Sequence, residues 1–187
     1  MTQRYSKVAV VLHWLIAIGI LLNLKYGLSF DALEESHSPL LRPTIDLHKS
    51  IGITVLGLVV LRILWRAGHQ PPALEAGLSA LEKRAATGIH HLLYLLMVVV
   101  PLSGWLHDSA WKGAASHPMM LFHTLPFFRL PLFGGMDDAA KDHWHDVLGN
   151  IHSLASWVLI GAVVLHVAGA LKHSLIDRKP SLARMWF

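Results

Sequence analysis

Cysteine is missing from this chain altogether. Its absence excludes disulfides, thiolate zinc sites, cysteine-held iron–sulfur clusters and covalently attached c-type haem. Charge is also scarce: 15% of the 187 residues are Asp, Glu, Lys or Arg, against about a quarter in a soluble domain. In their place stand 53% hydrophobic residues and fourteen histidines. The length suits one domain, and the composition is that of a membrane protein.

The hydrocarbon core of a bilayer is about 30 Å thick and takes roughly 20 helical residues. Four stretches qualify, at 8–26, 47–65, 89–106 and 147–171. Arg62 closes the second, where a long side chain can snorkel to the interface. Pro101 falls inside the third, which a membrane helix tolerates. Tyr5, Tyr26, Trp65, Trp105, Trp144 and Trp186 cluster near the ends of these stretches, as an aromatic belt does. The opening MTQRYSKVAVVLHWLIAIGILLN places basic residues before an apolar run, as a signal peptide would. The run is too long for one and holds a histidine, so it is expected to stay as the first span.

Ten of the sixteen Lys and Arg residues lie at the two termini and in the second connection; nine of the twelve carboxylates lie in the first and third connections. The positive-inside rule then predicts both termini in the cytoplasm. The formal charge of +4 follows from this topology, and no nucleic-acid partner is expected. Of the outer connections, 27–46 is short and polar. The other, 107–146, contains SHPMMLFHTLPFFRLPLFGG, too broken by Pro and Gly to span; it is expected to pack as a lid or to lie in the interface.

Histidines inside a bilayer are costly and face the bundle interior. His13 lies one or two turns into the first span, and His48 opens the second from the other side. His152 and His166 lie near opposite ends of the fourth. The 14 residues between them rise about 21 Å and return to within about 40° of the same face. His48 can therefore meet His152, and His13 can meet His166, at two depths of one bundle. Paired imidazoles on facing helices suit an iron bound axially by two histidines in an apolar slot. A zinc site would need three or four ligands at one point, and a proton relay would need an intramembrane carboxylate that none of the spans holds. Gly19, Gly52, Gly57, Gly149, Gly161 and Gly169 would let a flat ligand approach, or serve plain helix packing.

RYSKVAVVLHWLIAI (4–18), IDLHKSIGI (45–53) and HSLASWVLIGAVVLHVAGALKH (152–173) resemble the bacterial cytochrome b561 family, and the resemblance runs on through DRKPSLARM (177–185). It implies an all-α integral membrane four-helix bundle over 1–187, in the bacterial inner membrane, holding two b-type haems. By the resemblance, His13 and His166 ligate the cytoplasmic-side haem, and His48 and His152 the outer one. WHDVL offers His145 as a rival to His152; the 14-residue spacing, which is the family's, favours His152.

Iron with both axial positions filled passes single electrons. The resemblance implies an enzyme that oxidises superoxide at the periplasmic face and reduces ubiquinone in the membrane. Lys49, Lys112 and Arg129 are the outer cations that could draw an anion. His173, two turns beyond His166 on nearly the same face, is the candidate quinone contact, with His90 a neighbour on the third span. The alternative is a membrane anchor and electron-transfer subunit for a hydrogenase, dehydrogenase or other redox partner protein.

Overall fold

The computed structural model describes residues 4–73 and 77–186. In chain order come α1 (Lys7–Gly27), a short α2 (Phe30–Glu35), α3 (Leu41–Gly68) and α4 (Ala80–Ala110). A hairpin of β1 (Met119–Leu121) and β2 (Leu125–Phe127) follows, and then α5 (Asp138–Leu171). The helices α1, α3, α4 and α5 are each long and apolar enough to cross a membrane. The protein is an all-α four-helix bundle with one small antiparallel hairpin added, Met119 pairing Phe127.

The helices outrun the apolar stretches that announce them, and in α4 and α5 polar caps carry the start well beyond the lipid-facing turns. The Ser79 hydroxyl accepts from the Glu82 amide, and the Glu82 carboxylate accepts from the Ser79 amide at 2.9 Å, so α4 starts at residue 80. The Asp137 carboxylate accepts from the Ala140 amide at 2.7 Å and starts α5 at residue 138. Each such cap satisfies amides that a helix start leaves without partners. Pro101 lies within α4 without ending it.

Helix α1 packs on α3 and α4 on α5, and contacts between α3 and α4 join the two pairs. Two clusters fill the middle: Ile16, Val55 and Val59, and Leu93, Leu96, Val100, Leu159 and Ala162. Outward residues such as Leu21, Leu64, Leu154 and Leu165 are more than half exposed. In a bilayer these meet lipid, so their exposure carries no penalty.

The bundle has two distinct ends. One, the terminal face, carries both chain ends: the Tyr5 amide donates to the Arg184 carbonyl, and the Trp14 indole donates to the Met185 carbonyl at 2.8 Å. The other, the hairpin face, is crossed by residues 111–137. There the Phe122 amide donates to the buried Ser50 hydroxyl at 2.9 Å, and the Leu130 amide to the Ser109 hydroxyl at 3.0 Å. The Trp105 indole donates to the Phe128 carbonyl at 3.0 Å. The hairpin is thus stitched to α3 and α4 through their side chains.

Candidate functional site

Near the hairpin face, His48 on α3 stands opposite His152 on α5, ring centres 6.0 Å apart and planes at 89°. Each Nδ1 donates to the carbonyl of a neighbouring helix, His48 to Asn23 at 3.1 Å and His152 to Val100 at 2.9 Å. A ring nitrogen facing a carbonyl must carry the proton, so the Nε2 lone pair of each ring is left for another partner. The helix backbones crowd these rings closely. A Cβ at Gly104 would stand 2.9 Å from His152 Cε1, and one at Gly27 would stand 3.1 Å from His48 Cε1.

Near the terminal face, His13 on α1 stands opposite His166 on α5, ring centres 6.2 Å apart. His90 on α4 adds a third imidazole 5.3 Å from His166. All four paired histidines are half-buried. The two pairs lie at opposite ends of the bundle, with its apolar core between them.

His145 pairs with a different histidine. It stacks on His107 at 3.8 Å, and each of the two rings donates from Nδ1 to the other's backbone carbonyl, at 2.8 and 2.9 Å. That exchange binds α4 to α5 and leaves His152 as the residue opposite His48. A cavity of about 450 Å³ opens here, lined by His48, His152, His107 and His145 with Lys49 and Asp108.

The outer cations that the sequence offers are neutralised. Lys49 pairs with Asp108 at 3.0 Å and with Asp46 at 3.2 Å; Arg129 pairs with the other Asp108 oxygen at 2.8 Å. The Lys49, Arg129 and Asp108 side chains are 12–14% exposed, so this is a largely buried ion cluster. Lys112 pairs with Asp142 at 3.0 Å, and that hydrogen bond holds its ammonium above the usual lysine range. Hydropathy assigns Asp108 to the connection 107–146; it belongs instead to the last turn of α4. Its partners lie 59 and 21 residues away, and no local pattern announces them.

His173 sits in the π-helical turn Lys172–Ile176 that continues α5. Its Nδ1 donates to Asp177 at 2.6 Å, and the Lys172 ammonium bridges Asp177 at 2.9 Å and Glu82 at 2.6 Å. Donation from Lys172 and then from His173 holds the Asp177 carboxyl below the usual aspartate range. Glu82, His173 and Asp177 are close enough to share a metal ion, but the Lys172 ammonium already supplies the positive charge between the two carboxylates.

The family model described as prokaryotic cytochrome b561 matches residues 4–187. Among curated proteins, the chain is 31% identical to "Cytochrome b561 homolog 2" of Escherichia coli, over 98% of this chain and 91% of that one. It is 35% identical to "Cytochrome b562" of Cereibacter sphaeroides over 60% of this chain and 71% of that one. It is 22% identical to "Probable superoxide oxidase CybB" of Yersinia pestis, over 99% of this chain and 97% of that one.

Proposed function

The chain belongs to the prokaryotic cytochrome b561 family, a membrane electron-transfer protein that binds haem b, and from that premise we propose that it holds two haems and carries electrons between them. His13 with His166 ligates one haem and His48 with His152 the other. The observation that carries this is the spacing: both pairs of facing imidazoles have ring centres 6.0–6.2 Å apart. That gap admits one metal atom with nitrogen bonds of about 2 Å on either side. The donor chemistry agrees, since the Nδ1 protons of His48 and His152 are used on backbone carbonyls and Nε2 is the nitrogen turned free. A haem b held by two histidines supplies a reversible one-electron couple and no open coordination position.

The protein's own residues then divide the work. Asn23 and Val100 orient the hairpin-face imidazoles through their carbonyls, and Gly27 and Gly104 leave those rings room to turn inward. The apolar core keeps water and ions out of the path between the two histidine levels. His173, oriented by Asp177, is the quinone contact: in the imidazolium form, with Nδ1–H held by the carboxylate, its Nε2–H meets a quinone carbonyl and passes it a proton, leaving the neutral imidazole. The hairpin face is periplasmic and the terminal face cytoplasmic, in a bacterial inner membrane, a reading supported by the distribution of Lys and Arg.

The donor in this reading is superoxide. Two superoxide anions oxidised to dioxygen release two electrons, which with two protons convert one ubiquinone to ubiquinol. Ion pairing of Lys49, Lys112 and Arg129 removes the free cations that would steer an anion inward, and this favours a second reading in which a protein partner delivers the electrons. Stopped-flow spectroscopy separates the two. Superoxide should reduce the haems of the purified protein within the mixing experiment, and a ubiquinone analogue should reoxidise them. No reduction by superoxide, with rapid reduction by a co-purifying dehydrogenase or hydrogenase, would establish the second reading instead.

A further inference from the structure

A second cavity, of about 520 Å³, opens at the terminal face and is lined by Arg4, Arg62, Arg66, Trp65, His69 and Tyr94 among others. It gathers three cations that have no carboxylate partner among the described residues, in contrast to the cations that do. Lys49, Lys112, Lys172, Arg42 and Arg129 each face a carboxylate within 4.0 Å. Among the described residues, Arg4, Arg62 and Arg66 face none.

The contacts these arginines do make position them without neutralising them. Arg62 donates from Nε to the Tyr94 hydroxyl at 3.0 Å and from Nη1 to the Ala9 carbonyl at 2.7 Å. The Tyr94 ring lies 6.0 Å from the Arg62 guanidinium and 5.4 Å from that of Arg66. Trp65 forms a wall, fixed by donation to the Ser6 hydroxyl at 3.0 Å and by the stacked His69 ring at 3.8 Å. Three guanidinium groups gathered around one concavity repel each other unless an anion sits among them. Guanidinium forks match the oxygens of a phosphate or a carboxylate.

The place decides which anion. The cavity lies at the start of α1 and the end of α3, beside Tyr94 of α4, where the exposed apolar flanks give way to polar residues and Trp65 and Tyr5 stand. That is the depth of lipid headgroups, and basic pockets between membrane helices bind anionic headgroups. We propose that this cavity binds the phosphate of an anionic phospholipid, with Arg4, Arg62 and Arg66 around the phosphate and the acyl chains along the outer flank of α3. The inference rests on the fold and these side chains alone and is independent of the electron donor.

The test uses the full-length, haem-loaded protein stripped of lipid in a neutral detergent. The probes are phosphatidylglycerol, phosphatidylcholine and inorganic phosphate, read by thermal shift and by native mass spectrometry of retained lipid. Phosphatidylglycerol should stabilise and be retained, while phosphatidylcholine and phosphate should do neither. The double variant R4Q/R66Q leaves Arg62 and the histidines in place, and should bind phosphatidylglycerol about 30-fold more weakly, the worth of two basic charges near a membrane surface. The variant K83Q/R84Q, on the same face but outside the cavity, should bind as the native protein does. Equal stabilisation by phosphatidylcholine, full stabilisation by phosphate alone, or undiminished binding in R4Q/R66Q would each overturn the proposal. So would loss of haem absorbance in R4Q/R66Q, which would assign these arginines to the haem propionates.

Discussion

At Gly104 the hairpin-face site depends on a single missing methyl group. A Cβ there would stand 2.9 Å from His152 Cε1, inside any ordinary contact distance, and the ring would have to rotate off its hydrogen bond to the Val100 carbonyl. Gly104→Ala should therefore lower occupancy of the proposed hairpin-face haem by an overpacking cost of about 1–3 kcal/mol and leave the proposed terminal-face haem unchanged, as read from haem content per chain by pyridine haemochrome. His173 is the proposed quinone contact at the other end. Replacing it with Ala should slow reoxidation by a ubiquinone analogue about 100-fold, the usual worth of one proton-transferring group, without changing the rate of haem reduction. The paired histidines are legible in the amino-acid sequence, because helix rise and rotation alone place His152 and His166 on one face at two depths. Gly104 and Gly27 are not: their role is set by the rotation of one helix against another, which a single helix's periodicity does not contain. For the same reason spacing can only prefer His152 over His145, whereas the structure sets the His152 ring 6.0 Å from that of His48 and stacks His145 on His107.

At the scale of elements, the four spans follow from length and hydropathy, and the true starts of α4 and α5 follow from caps at Ser79 and Asp137 that lie outside the apolar stretches. The hairpin is the element least legible in the sequence. Its stability comes from partners far along the chain: Ser50 for the Phe122 amide, Ser109 for the Leu130 amide, and Asp108 for Arg129. Asp108 is central because it answers two largely buried cations at once, Lys49 on α3 and Arg129 on the segment that leaves the hairpin. Asp108→Asn leaves both charges without their counter-ion. It should cost about 3 kcal/mol, at the lower end for a broken buried pair, and should open the 119–130 segment to limited proteolysis while the four spans stay intact. Unaltered protection of that segment would mean that its backbone hydrogen bonds suffice to hold the hairpin.

On the scale of the whole molecule, the bundle is a pair of helix pairs with the His48–His152 couple near one end, the His13–His166 couple near the other and a packed apolar middle. Its ends differ chemically. The hairpin face carries a cavity ringed by histidines and internally neutralised charge, while the terminal face carries arginines that face no carboxylate and the His173–Asp177–Lys172–Glu82 chain of contacts. This asymmetry suits a conduit whose two ends meet different reactants. The account rests first on the haem count, so the decisive measurement is pyridine haemochrome quantitation per chain in the native protein and single histidine variants. Two haems b are expected in the native protein and in His145→Ala. One should remain in each of His13→Ala, His166→Ala, His48→Ala and His152→Ala, with the spectrum of the haem lost shared within each couple. A single haem in the native protein, or retention of both haems in His152→Ala with loss of one in His145→Ala, would contradict it.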